Sequence, residues 1–295
     1  MSKPTPQKTT GDFQRFGREG HRPGTSRAIG QAFCTARDFI ARGLVALGVK
    51  PNTLTIAGFV ATCGTAVCFF LGGSHSHTTA AVSPAPPYLL YAAGFLILAS
   101  AFDMLDGAVA RIGNLATPFG AFLDSAVDRM SDAVVYIALI GHFLLIENLT
   151  YAVLAAVALT NALLISYTKA RSENVIPNCG VGYWLRGERS AAILIAAFAG
   201  AVPAVLWQQA ILPGFTVLRR IVWTHRVLAA KVASQPLPDP GTPTGPGRFL
   251  KPWRFPRGSL PYDLVTGINI AFIIATPHCH PFFGPAADPL RAILV

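Results

Sequence analysis

Residues 103–128 read DMLDGAVARIGNLATPFGAFLDSAVD, with the apolar run 87–102 before them and the largely apolar run 129–146 after them. Asp103 and Asp106 are three residues apart and Asp124 and Asp128 four apart, so each pair lies on one face of a helix. The short link with Gly113 and Pro118 makes the two helices antiparallel neighbours, and both pairs meet at similar depth. Carboxylates inside membrane helices are costly and mark function. Four of them in a low-dielectric pocket do not all stay ionised unless cations join them. Oxygen-only ligands favour Mg²⁺, Mn²⁺ or Ca²⁺ over zinc. Small residues at 107, 108 and 110 clear one helix face for the close approach of a flat ligand. Asp132, one turn further on, is expected to be a supporting hydrogen-bond partner. Simple helix–helix pairing is the weaker reading, because Arg111 and Arg129 cannot neutralise four buried acids.

Composition supports a membrane setting. The chain has 295 residues, 52% hydrophobic and 13% charged, with mean hydropathy +0.46. A soluble domain carries about 25% charged residues, so lipid is the expected solvent for most of this chain, and whole-chain disorder is excluded. The net charge of +10 fits cytoplasmic loops and anionic lipid rather than nucleic acid. Cysteines 34, 63, 68, 179 and 279 show neither metal nor disulfide spacing.

The expected fold is all-α, a polytopic membrane protein of six transmembrane helices with an amphipathic N-terminal surface helix. Residues 1–30, with six basic and two acidic side chains, read as a disordered cytoplasmic tail without a cleaved signal. Phe33, Ile40, Leu44 and Leu47 give residues 31–48 the spacing of a surface helix. Spans are expected at 53–72, 87–110, 117–146 and 150–170, and two short ones within 190–226, turning near Gly200–Pro203. The links at 73–86, Glu147–Asn148 and 200–203 contain no Lys or Arg, whereas the opposite ends carry Arg111, Lys169, Arg171, Arg186, Arg189, Arg219, Arg220, Arg226 and Lys231. The positive-inside rule then puts the N-terminus and residue 231 in the cytoplasm. The membrane domain therefore covers 31–230, and 231–295 is a proline-rich linker followed by a short apolar segment. That segment, 264–276, is expected to be surface-lying or re-entrant on length, with a seventh span as the alternative. His278, Cys279 and His280 read as a polar stretch at the membrane surface.

The string Asp103-x2-Asp106-Gly107-x2-Ala110-Arg111-x8-Gly120-x3-Asp124-x3-Asp128 matches, position for position, the signature of the CDP-alcohol phosphotransferases. The chain resembles that family over roughly residues 31–230. The resemblance implies a six-span homodimeric enzyme of the cell's inner membrane, its active site facing the cytoplasm, that moves a phosphatidyl group from CDP-diacylglycerol to an alcohol and releases CMP. It implies two metal ions, Mg²⁺ or Mn²⁺, on Asp103, Asp106 and Asp124, with Asp128 shared between metal binding and the role of general base. It also implies a CDP-lipid site at Asn52, Thr55, Gly107, Ala110 and Arg111.

The segments SYTKARSE, CGVG and ER within 165–189, and LDSAVDRMSDAVVY at 123–136, resemble the branch that makes phosphatidylinositol phosphate. There the resemblance implies that Lys169, Arg189 and Arg220 hold the phosphate of a phosphorylated polyol, inositol phosphate foremost. A phosphorylated acceptor needs such cations and a neutral alcohol does not. Glycerol 3-phosphate is the alternative acceptor. This chain has Leu218 and Arg219 before Arg220, where the family more often has Gln before its second arginine. A divalent-cation transporter is the reading from another class. Its polar groups would run through the full membrane depth, whereas these aspartates cluster at one end of two helices.

Overall fold

The computed structural model describes residues 25–72, 87–234, 236, 259–279 and 288–294. The elements among them are helices: α1 (Thr25–Ala46), α2 (Pro51–Gly72), α3 (Pro87–Ile112), α4 (Pro118–Leu145), α5 (Leu149–Glu173), α6 (Arg186–Ala199), α7 (Val202–Val232), α8 (Leu260–Cys279) and α9 (Pro289–Leu294). Among the described residues there is no β-strand. Helices α2, α3 and α5 are long and apolar enough to cross a membrane.

Local chemistry sets the helix ends. Helices α2, α3 and α4 each begin on a proline, whose fixed φ and missing N–H suit the first helical position. The Thr117 hydroxyl caps α4 by accepting from Gly120 N at 2.9 Å, and Asn148 caps α5 by accepting from Tyr151 N at 3.1 Å. Gly200 closes α6 in the left-handed region at φ 66°, and the chain turns directly into α7.

Helix α2 packs on α3 and α4, α4 on α5, α5 on α7, and α3 on both α1 and α6. Phe69, Leu89, Tyr136, Leu139, Phe143 and Tyr151 form the sealed centre of the main core. Ala152, Ala155, Ala158 and Ala162 give α5 a seam of small residues, which lets neighbouring backbones approach as packing within lipid requires. Large apolar side chains also face outward, among them Ile56, Val60 and Val67 on α2, Ile137 and Leu144 on α4 and Ile221 on α7. In water such faces would associate, and in lipid they are the solvated surface. The all-helical membrane character expected from composition is thus present.

Some bounds differ from expectation. Helix α1 starts at Thr25, inside the segment read as a tail, and residues 1–24 lie outside the described residues. The apolar run 264–276 sits within the longer α8, because Leu260–Asp263 add a turn before it. Helix α8 packs along α6 and α7. Helix α9 docks on the start of α5. Asp288 accepts from Leu149 N at 3.1 Å, Thr150 N at 3.0 Å and the Thr150 hydroxyl at 2.5 Å. Burial pushes the Asp288 carboxyl up, but the hydrogen bonds from Thr150, Leu149 and Arg291 together outweigh it and hold the group below the usual carboxylate range. The side chains of His278, Cys279 and His280 and the linker 237–258 lie outside the described residues.

Candidate active site

The active-site ends of α3 and α4 are joined by a tight connection. Gly113 N donates to Val109 O and Leu115 N to Ala110 O, both at 2.9 Å, and Asn114 takes φ 52°. This folds α4 back beside α3. One carboxylate oxygen each from Asp103, Asp124 and Asp128 then lies within 4.8 Å of the others. Oxygens ligating one cation at about 2.0–2.6 Å stand at most about 4–5 Å apart, so the three are close enough to share a divalent ion. The fourth aspartate of the expected set is turned elsewhere. Asp106 is 6% exposed, and its Oδ2 accepts from the Thr55 hydroxyl at 2.7 Å. The rotation of α3 about its axis, set by its packing on α2, turns this side of Asp106 toward Thr55.

Residues expected to hold the CDP-lipid gather nearby. Thr55 touches Asp106, and the Asn52 Oδ1 comes so near Gly120 that an added Cβ there would sit 3.2 Å from it. Arg111 folds its guanidinium over Gly107, leaving 3.2 Å to an added Cβ. Ala110, on the same turn, is partly buried.

A cation not singled out from the sequence stands among the aspartates. Arg186 Nη1 lies 2.6 Å from Asp103 Oδ1 and 2.6 Å from Asp128 Oδ1. Three residues on, Arg189 is 2% exposed, and its Nη2 pairs with Asp132 Oδ2 at 2.5 Å. Arg186 and Arg189 share a face of α6, and that i, i+3 spacing is the signal that could have revealed Arg186. Asp132 acts as the hydrogen-bond partner its position suggests. Several donors here are buried with no hydrogen-bond partner: Arg186 Nε, Arg189 Nε and Nη1, and the Tyr136 hydroxyl. Arg186 and Tyr136 line a cavity of about 490 Å³ that runs from Asp103 and Asp128 to the apolar Leu96, Val135 and Leu194.

Of the expected basic trio, Arg220 lies close enough to interact electrostatically with Arg189 and with Glu173, the residue that Lys169 pairs with. Arg220 is 2% exposed, and it donates to Val181 O at 3.2 Å and to Ile165 O. Through these two bonds it braces the turn before α6, since a buried guanidinium draws on the carbonyls nearest to it. The same turn needs a glycine. Gly182 takes φ 121°, and a Cβ on it would meet Thr216 Cγ2 at 2.2 Å. Lys169 is half-exposed and pairs with Glu173 at 4.0 Å.

The Arg186 guanidinium pairs with Asp103 Oδ1 and Asp128 Oδ1, so its charge competes with an ion for these carboxylates. Each of these partly exposed pairs contributes up to about 1 kcal/mol. Arg186→Gln is therefore expected to tighten Mn²⁺ binding by about threefold to tenfold, read by electron paramagnetic resonance on the purified protein. Unchanged Mn²⁺ affinity would show that Arg186 does not compete for the aspartates.

The family model described as CDP-alcohol phosphatidyltransferase matches residues 49–232. Archaetidylinositol phosphate synthase of Pyrococcus horikoshii is 32% identical over 184 residues, 62% of this chain and 87% of that protein. Phosphatidylinositol phosphate synthase of Mycobacterium tuberculosis is 32% identical over 197 residues, 66% of this chain and 83% of that protein. The crystal structure of the M. tuberculosis synthase with CDP-DAG bound aligns with TM-score 0.53 at 28% identity, covering 63% of this chain and 92% of that one. Its complex with manganese and citrate aligns with TM-score 0.55 at 28% identity, covering 72% and 97%.

Proposed function

The chain belongs to the CDP-alcohol phosphatidyltransferase family, and we propose that it transfers the phosphatidyl group of CDP-diacylglycerol to a hydroxyl of inositol phosphate and releases CMP. The observation that carries the acceptor is Arg189, buried beside the cavity with Nε and Nη1 unpartnered. A phosphate monoester brings close to two negative charges and three acceptor oxygens. On entering a partly buried site it exchanges hydration for fixed donors. A neutral alcohol leaves those donors unmatched, at a cost of about 1–3 kcal/mol each. The names of the relatives agree, since the archaeal and mycobacterial synthases differ in the lipid and share inositol phosphate.

Asp103, Asp124 and Asp128 hold a divalent ion, Mg²⁺ or Mn²⁺, and Asp106 serves a second. The manganese complex of the solved relative supports a metal of this kind. When bound, the metal supplies positive charge against the pyrophosphate of the CDP-lipid. Asn52, Thr55, Gly107, Ala110 and Arg111 receive the cytidine end, and the apolar end of the cavity receives acyl chain. Arg189, with Lys169, holds the acceptor phosphate, while Arg220 fixes the turn that presents Arg189. Asp128 takes the proton from the attacking hydroxyl. Helices α2 to α7 are six crossings of the cell's inner membrane, with the aspartates facing the cytoplasm, and the enzyme works as a homodimer. The absence of Lys and Arg from the links at Glu147–Asn148 and 200–203 supports that orientation.

The test is CMP release by purified protein with CDP-diacylglycerol and a panel of acceptors. Inositol phosphate is expected to be used at least tenfold better, by kcat/KM, than glycerol 3-phosphate, and free inositol and serine not at all. Preference for glycerol 3-phosphate, or use of free inositol, would overturn the acceptor assignment.

A further inference from the structure

The matched family region ends at residue 232, and nothing in that region assigns a role to the helix that follows the proline-rich linker. Helix α8 makes contacts at successive depths of the bundle. Near the aspartates, the Tyr262 hydroxyl donates to Glu188 Oε1 at 2.8 Å, and the Tyr183 and Thr266 hydroxyls share a hydrogen bond of 2.7 Å. The Tyr183 and Tyr262 rings stack at a tilt, 5.3 Å apart. Two turns further along, Asn269 accepts from Gln208 Nε2 at 2.9 Å through its side chain. One turn beyond, Ile273 is 1% exposed and packs into the core formed by Ala196, Ala201, Ala204 and Val205. Past α8, Asp288 and Arg291 reach the link between α4 and α5, where Arg291 pairs with Glu147 at 3.2 Å. That link is at the far end of α4 from Asp124 and Asp128.

The order of these contacts follows α6 from Glu188 to Ala196, so α8 runs parallel to α6 and away from the active site. Its 20 residues reach about 30 Å at 1.5 Å per residue, the thickness of the hydrocarbon layer. Its single acidic residue, Asp263, lies in the first turn. The sequence before it carries Arg248, Lys251, Arg254 and Arg257, the bias of a segment entering from the cytoplasm. The apolar run is short, and the crossing is completed by side chains that pair with α6 and α7 instead of facing lipid, as for Asn269 with Gln208.

We propose that residues 260–279 cross the membrane as a seventh span whose first two turns clamp the 183–188 segment, and so position Arg186 and Arg189. The inference rests on the cytoplasmic orientation and the acceptor site proposed above. Tyr262 and Thr266 are positioning residues that act on Glu188 and Tyr183. Glu188 lies between Arg186 and Arg189 on the first turn of α6, so its tether limits how that turn can rotate. A further consequence is topological, since residue 291 lies on the face opposite residue 231.

The test has two arms. With the native cysteines replaced by alanine, Lys231→Cys and Arg291→Cys are probed by a membrane-impermeant maleimide in sealed vesicles of known orientation. Labelling from opposite sides is expected, and labelling from the same side overturns the seventh span. Should the cysteine-free protein fail to fold, alkaline phosphatase or a fluorescent protein appended after residue 295 of the unaltered chain reads the same side. In the second arm, Tyr262→Phe with Thr266→Val is expected to raise the acceptor KM about tenfold, with the KM for CDP-diacylglycerol unchanged. A purely structural role would lower the active fraction and leave both KM values alone, and that result overturns the clamp. An Arg189→Ala variant measured in parallel separates the two readings. If it leaves the acceptor KM unchanged, the acceptor site is wrong, whereas a response to Arg189→Ala without one to the double variant refutes the clamp alone.

Discussion

Asp128→Asn is expected to lower the rate of CMP release by about a thousandfold while the protein remains folded. One carboxylate is asked to do three things. It contributes an oxygen to the cluster with Asp103 and Asp124, it faces Arg186 at 2.6 Å, and in the proposed reaction it takes the proton of the attacking hydroxyl. The amide keeps the shape and the helix but loses the charge and the basicity. Loss of a general base alone typically removes 10²–10⁴ in rate, and a weakened metal site adds to that. The fold does not depend on this charge, because Asp128 is partly exposed and its partner Arg186 keeps Asp103. An unchanged melting temperature alongside the lost turnover is the expected pair of results. Asp106→Asn makes a useful contrast. Asp106 is tied to Thr55, so this substitution is expected to raise the metal concentration needed for activity more than it lowers the rate at saturating metal. Near-normal turnover in Asp128→Asn would end its assignment as both ligand and base.

The convergence of Asp103, Asp124 and Asp128 was legible from spacing, because i, i+3 and i, i+4 pairs on two helices joined by a short Gly- and Pro-containing link have few ways to meet. The turn of Asp106 toward Thr55 was not legible. It depends on how far α3 is rotated about its own axis, and that is fixed by packing against α2 rather than by any residue near the motif. Arg186 looked like one more cation of the positive-inside bias. Its place between Asp103 and Asp128 comes from the packing of α6 on α3, a contact between segments more than eighty residues apart. Arg220 carried the same kind of ambiguity. A buried arginine beside a glycine turn reads from sequence as a ligand or as a brace, and its bonds to the carbonyls of Val181 and Ile165, which the sequence does not foretell, add the bracing contact. In the 264–276 segment, length alone left a surface-lying, a re-entrant and a spanning helix open. The apolar run is short because part of the α8 surface faces protein, where Asn269 and Thr266 are hydrogen-bonded and need not be hydrophobic.

Arg189→Ala is expected to raise the KM for inositol phosphate by ten- to a hundredfold and to leave the KM for CDP-diacylglycerol within about twofold of the parent value. Arg189 is 2% exposed, one of its nitrogens is held by Asp132, and two more donors remain open. A hydrogen bond to a charged group contributes about 1.5–3 kcal/mol, and each 1.4 kcal/mol is tenfold in affinity. The choice of KM as the readout matters. Removing a buried guanidinium also leaves Asp132 without its partner and opens a void, so part of the protein is expected to unfold. Loss of folded enzyme lowers the apparent kcat, whereas KM is independent of the active fraction, so the acceptor effect can be read through any loss of stability. Asp132→Asn tests the same geometry from the other side. It keeps the guanidinium but loosens it, so its acceptor KM is expected to rise by less than that of Arg189→Ala. The CDP-lipid is expected to respond to neither substitution, because the proposed reaction puts its phosphates at the aspartate cluster on the ends of α3 and α4. If Arg189→Ala instead raises the KM for the CDP-lipid and spares the acceptor, Arg189 belongs to the donor half of the site. The acceptor phosphate must then be sought at Lys169.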